Sequence, residues 1–195
     1  MGKAKKAFGT KEIATTGILL AICIISQFFK NLSIFITGPI INACIVLAVI
    51  LANVYCGLIL SVLTPITAYI IAASPVMSAV PLLIPFIMLG NCVLALSVHF
   101  LMKKDFVKSP KGFVCIKSMI FGVICSAAKG AFMGLTISLW LLPTFIPVES
   151  PLRNKLPVFQ TTFSLYQFIT ACIGFVYVFL VCAALRGKAL ESIAE

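Results

Sequence analysis

The chain is a succession of apolar runs separated by short connections rich in lysine, proline or glycine. A helix crossing a hydrocarbon layer about 30 Å thick needs roughly 20 apolar residues, and within that layer every backbone N–H and C=O must find its partner in protein. A water-soluble fold is a poor solution for such a chain. Hydrophobic residues make up 62% of the 195 residues and charged residues 10%, against about half and a quarter in a globular domain. The sequence predicts an all-α integral membrane protein, a single transmembrane domain over residues 1–195.

Six spans are expected, at about residues 13–29, 38–53, 57–73, 82–102, 113–142 and 158–185. Thr37-Gly38-Pro39 marks the opening of the second, and Pro65 falls inside the third. Ser74 to Pro81 connect the third to the fourth, and Pro143 to Pro157 connect the fifth to the sixth. The start, MGKAKK, misses the myristoylation pattern because Lys6 stands where Ser or Thr is required, and the first run is too long for a signal h-region. It is expected to be a retained span. Glycine and proline positions in the two halves do not match, so no inverted repeat is read.

The net charge of +10 is distributed as in a polytopic membrane protein, not as on a base-reading surface. Lys3, Lys5, Lys6 and Lys11 precede the first run. Lys103, Lys104, Lys108 and Lys111 share one loop, and Arg186 and Lys188 follow the last run. With Lys30, Arg153 and Lys155 opposite them, the positive-inside rule predicts both termini in the cytoplasm. Lys117 is expected to snorkel at the inner end of the fifth span. Cys23, Cys44, Cys56, Cys92, Cys115, Cys125, Cys172 and Cys182 lie in or beside apolar segments without a C-x-x-C pair, and are read as small hydrophobes.

Lys129 stands near the middle of the fifth run, and no Asp or Glu accompanies it in any apolar run. A charge at mid-bilayer costs roughly 3 kcal/mol on insertion scales, which makes it a functional candidate. Two uses are open to the amine: contact with an anionic or acceptor-rich ligand, or satisfaction of carbonyls freed by a helix kink. At helical spacing Lys129, Met133, Thr136 and Trp140 share one side. A second stripe, Gly122, Ser126, Gly130, Gly134 and Ser138, is a small-residue ladder of the kind that packs helices closely in lipid. Further polar residues are Asn42 in the second span, Asn91 in the fourth, and Gln160, Ser164 and Gln167 with Tyr166 beside them in the sixth. Each can be an interhelical hydrogen bond. Together they outline a polar cavity in the outer half, with Trp140 and Tyr166 as apolar walls.

Enzyme and motor chemistry lacks its residues. There is no G-x-x-x-x-G-K-[ST] phosphate loop, and the single histidine, His99, has no Asp, Glu or second His near it in sequence. No catalytic site, cofactor or metal is expected, and no nucleic-acid partner.

Gly38-Pro39-Ile40-Ile41-Asn42-Ala43, Leu63-Thr64-Pro65-Ile66-Thr67-Ala68, Pro85-Phe86-Ile87-Met88-Leu89-Gly90-Asn91, Ala127-Ala128-Lys129-Gly130 and Tyr166-Gln167-Phe168-Ile169-Thr170 come in this order along the chain. In that order they resemble the substrate-binding S components of energy-coupling factor (ECF) vitamin transporters. The resemblance covers essentially the whole chain. It implies a six-helix fold in a bacterial or archaeal plasma membrane, binding a vitamin-like micronutrient near the outer face. It also implies partners: a transmembrane coupling protein and two cytoplasmic ATPases, with lipid around them. The family's A-x-x-x-A docking motif falls on Gly17-Ile18-Leu19-Leu20-Ala21, with Ala14 one turn before; glycine replaces the first alanine. The family's pocket maps onto the loop from Asn31 to Pro39, Asn91, Lys129 and the Gln160–Gln167 face. A stand-alone small secondary transporter for a polar micronutrient is the alternative.

Overall fold

The computed structural model describes residues 9–29, 33–102 and 116–194. Lys3, Lys5, Lys6, Lys30, Asn31, Lys103, Lys104, Lys108, Lys111 and Cys115 lie outside the described residues, as do the side chains of Arg186 and Lys188. The architecture is all-helical, 89% helix with no strand among the described residues. Six helical segments there are long and apolar enough to cross a membrane, the make-up of a multi-pass membrane protein.

The helices are α1 (Thr10–Gln27), α2 (Ile34–Leu51), α3 (Val54–Ala72), the short α4 (Pro75–Ala79), α5 (Leu83–Leu101) and α6 (Ile116–Met133). The chain then winds as a π-helix over Gly134–Leu141, returns to α-helix in α7 (Leu142–Phe145) and makes a 3-10 turn over Pro151–Lys155. It ends with α8 (Leu156–Phe163) and α9 (Leu165–Ala194).

Several boundaries differ from the sequence expectation, each for a local reason. α2 begins at Ile34, ahead of Gly38-Pro39, because Ser33 caps it by accepting from the Phe35 amide at 3.1 Å. α3 begins at Val54, capped by Asn53, whose Oδ1 accepts from the Cys56 amide at 3.0 Å. Both helices run on through their prolines. The sixth span is not one rod. Ser164, at φ −117° and ψ −84°, breaks it between α8 and α9.

α2 is the central helix: every residue from Asn42 to Val49 is buried, and it packs on α1, α3, α5 and α9. Its closest seam is with α9. A Cβ on Gly174 would fall 2.9 Å from Asn42 Cβ and 3.0 Å from the Pro39 carbonyl oxygen, and one on Gly38 would fall 3.0 Å from Thr170 Cβ. The small-residue ladder of α6 and the π-helix faces the sixth span. A Cβ on Gly122 would meet the Phe175 ring at 3.1 Å, one on Gly130 the Phe168 Cβ at 2.8 Å, and one on Gly134 the Ser164 Cβ at 3.3 Å. Missing side chains here let backbones approach, which is how helices adhere where the solvent is itself apolar.

Gly130→Leu is therefore expected to lower the thermal unfolding midpoint in detergent, at a cost of about 1–3 kcal/mol. Gly17→Leu, where an added Cβ meets nothing within 4 Å, is expected to leave it unchanged; equal midpoints for the two variants would contradict the α6–α9 seam.

Candidate functional site

The site begins with a missing hydrogen. Pro65 has no N–H, so the Ser61 carbonyl one turn earlier in α3 loses its helical donor. Asn91 Nδ2, from α5, reaches that carbonyl at 3.5 Å. A carbonyl can only accept, so the amide of Asn91 is turned with Oδ1 away from α3 and toward α6. There it accepts from Lys129 Nζ at 2.7 Å. On the other side Asn42 Oδ1, from α2, accepts from the same nitrogen at 2.6 Å. Asn42 is held in turn by Thr170: its Nδ2 donates to Thr170 Oγ1 at 3.4 Å, while that hydroxyl donates to the Gln167 carbonyl at 3.2 Å.

Lys129 is 3% exposed, and Asn42 and Asn91 are as deeply buried. It stands near the middle of the 30-residue span Ile116–Phe145. Among the described residues no carboxylate reaches it; its partners are two neutral oxygens. Hydrogen bonds from a charged donor are about twice as strong as neutral ones, and this geometry supplies two of the three that an ammonium can make.

Beside this cluster lies a partly open cavity of about 320 Å³. Asn42, Asn91, Lys129 and Gln167 line its polar side. The first turns of α2 contribute Ile34, Thr37, Gly38 and Ile41; the end of α3 contributes Thr64, Pro65 and Ala68. Ser74 just ahead of α4 and Val76 and Met77 within it close one side, Ile87 closes it from α5, and Val158, Phe159, Thr162 and Phe163 from α8. An apolar chamber with a few convergent polar groups is the usual form of a small-molecule site.

The structure does not bring every candidate to this cavity. Trp140 is 51% exposed and lies between Phe86 and Phe145, with ring centroids 5.8 and 6.3 Å away. Thr136 donates to the Phe132 carbonyl at 2.7 Å, and Met133 is buried over Gly90, whose Cβ would fall 2.5 Å from Met133 Cγ. The stripe from Lys129 to Trp140 assumed an α-helical period. The π-helix over Gly134–Leu141 bonds i to i+5 and rotates later residues off the Lys129 face. The helix break at Ser164 likewise parts Gln160 from Gln167. Gln160 Nε2 donates to the Ser138 carbonyl at 2.9 Å and its own carbonyl accepts from Ser138 Oγ at 2.8 Å. Ser164 Oγ donates to the Gln160 carbonyl at 2.6 Å. Tyr166 packs on Phe35 at 5.1 Å between ring centroids, away from the cavity. The aromatic wall belongs to Phe159 and Phe163 instead.

His99 is exposed and sits against Phe100, and Lys117 Nζ lies 5.7 Å over the Phe121 ring. Among the described residues no group of His, Cys, Asp and Glu could hold a metal ion. Comparison with protein-family models, curated proteins and solved structures finds no match to this chain.

The Asn91–Lys129 contact predicts a non-additive pair. Asn91→Leu leaves the buried amine short of an acceptor and should cost roughly 1–3 kcal/mol of stability. Adding Lys129→Met removes the group left unsatisfied, so the double variant is expected to unfold at a higher temperature than Asn91→Leu alone. Additive losses in the double-mutant cycle would refute the clamp.

Proposed function

We propose that the chain is the membrane-embedded substrate-binding (S) subunit of an ECF-type ABC transporter. It captures a vitamin or related small micronutrient from outside for ATP-driven uptake by partner subunits. The observation that carries this reading is the cavity built around an intramembrane amine with no carboxylate beside it among the described residues. Proton- and ion-driven carriers place carboxylate or histidine relays along their path. The five acidic residues here are Glu12, Asp105, Glu149, Glu191 and Glu195, and of these only Glu12 lies in one of the first five helical spans, where it caps the start of α1 by accepting from the Gly9 amide at 3.0 Å. A binder of this kind needs an energy source in another protein, here a transmembrane coupling protein with two cytoplasmic ATPases.

In this reading Lys129 anchors the ligand, Asn42, Asn91 and Gln167 orient it, and Phe159 with Phe163 replace Trp140 and Tyr166 as the apolar wall. In this reading both termini are cytoplasmic, as the positive-inside rule predicts from the sequence, and the α4–α8 end of the cavity faces outside. Ala14, Gly17 and Ala21 are exposed on α1, and nothing fills the space above Gly17. That small-residue strip is the proposed contact with the coupling protein.

Copurification tests the assignment. Full-length tagged chain, expressed in its own host, is expected to recover a coupling subunit and ATPases, and uptake is expected to stop when ATP hydrolysis is blocked. Lys129→Met should lower uptake at least about tenfold, the loss of one charge-assisted contact. Gradient-driven uptake by the chain alone, with no ATPase recovered, would establish the secondary-transporter alternative.

A further inference from the structure

The hydrogen bonds around Lys129 leave it with a definite deficit. Asn91 is fixed by the Ser61 carbonyl and Asn42 by the Thr170 hydroxyl, so both present oxygen to the amine and neither presents charge. Of the three donors of an ammonium, two are used, and the third has no protein acceptor among the described residues. Lys129 also lines the cavity. Gln167 lines it too, and among the described residues its side-chain amide makes no hydrogen bond, while its backbone carbonyl accepts from Thr170. The rest of the wall near these two is apolar, with Ile41, Met77, Phe159 and Phe163 prominent.

Building on the capture reading above, we infer that the ligand is an organic monoanion. Its acid group takes the third donor of Lys129, a hydrogen-bonding group meets Gln167, and an apolar body lies against Phe159 and Phe163. The charges decide the class. A cationic ligand would bring like charge to an amine that has no counterion among the described residues. A dianion would leave its second charge in an apolar wall with one free ammonium donor to hold it. A neutral ligand would leave the buried ammonium uncompensated, as before binding. One acid closes the pair. Asn42 and Asn91 are then specificity-determining residues: they hold the amine through neutral oxygens, and that neutrality is what selects an acid. An aspartate at either position would fill the role from within and shut the ligand out.

Detergent-solubilised full-length chain can be tested with yeast-extract metabolites separated by ion exchange into monoanionic, polyanionic, neutral and cationic pools. The monoanionic pool is expected to raise the thermal unfolding midpoint by about 3 °C or more, and the other pools not to. Asn42→Asp, whose new oxygen meets the Thr170 hydroxyl, a group able to donate, should remain folded, unfold at or above the wild-type temperature and lose that shift; Asn91→Asp, whose new oxygen faces the Ser61 carbonyl, should lose the shift and unfold at a lower temperature. A shift from the neutral, cationic or polyanionic pool in place of the monoanionic one overturns this inference and leaves the capture reading standing. No shift from any pool removes the capture reading and the inference with it. Folded aspartate variants that keep the monoanion shift refute the selection by an unneutralised amine.

Discussion

The amine of Lys129 and the two oxygens that hold it are the interaction on which the rest of the molecule turns. Three helices, α2, α5 and α6, each send one side chain to the same point, at 2.6 and 2.7 Å. In a medium without water, leaving any of these groups unpartnered costs more than most packing contacts return. The cluster therefore fixes the relative height of the three helices as well as their spacing. It is polar because it has to be, and its one basic group meets only neutral oxygens among the described residues.

The surrounding packing makes this convergence possible. Gly174 between α2 and α9, and Gly130 between the fifth and sixth spans, let the helices close until an added methyl group would not fit, and Gly38, Gly122 and Gly134 keep the same seams tight. Pro65 contributes by subtraction, releasing the Ser61 carbonyl that orients Asn91. The connection between α7 and α8 is tied by Arg153, which donates from one nitrogen to the Pro143 and Ile146 carbonyls at 2.8 and 3.0 Å. It holds α8, and with it the aromatic wall, over the cavity.

Much of the architecture was legible because apolar runs of bilayer length have few other solutions. Lys129, Asn42, Asn91 and Gln167 stood out for the same reason, as polar groups in segments that have to justify each one; the structure sets all four around one cavity. The misplacements came from departures that leave no mark in residue type. Trp140 and Thr136 were carried onto the Lys129 face by an α-helical period that the chain abandons at Gly134. Gln160 and Gln167 were joined by a helix that breaks at Ser164. Val76, Met77, Phe159 and Phe163 were invisible as site residues, since an apolar side chain facing a cavity reads like one facing lipid. Ser33 and Asn53 offered the missing cue for the true starts of α2 and α3, as capping residues a few positions ahead of the glycines that drew the boundaries.

The π-helical stretch has a consequence for how such a chain can change over time. It uncouples the angular phase of the residues before it from that of the residues after it. Before the stretch Lys129 faces the chamber, while after it Leu139 and Trp140 face outward and Ile137 and Leu141 pack inward, so the two parts of the span answer to different neighbours. Deleting a single position in that stretch would remove the one extra residue the wide turn holds and restore a continuous α-helix, with Trp140 left on its present face.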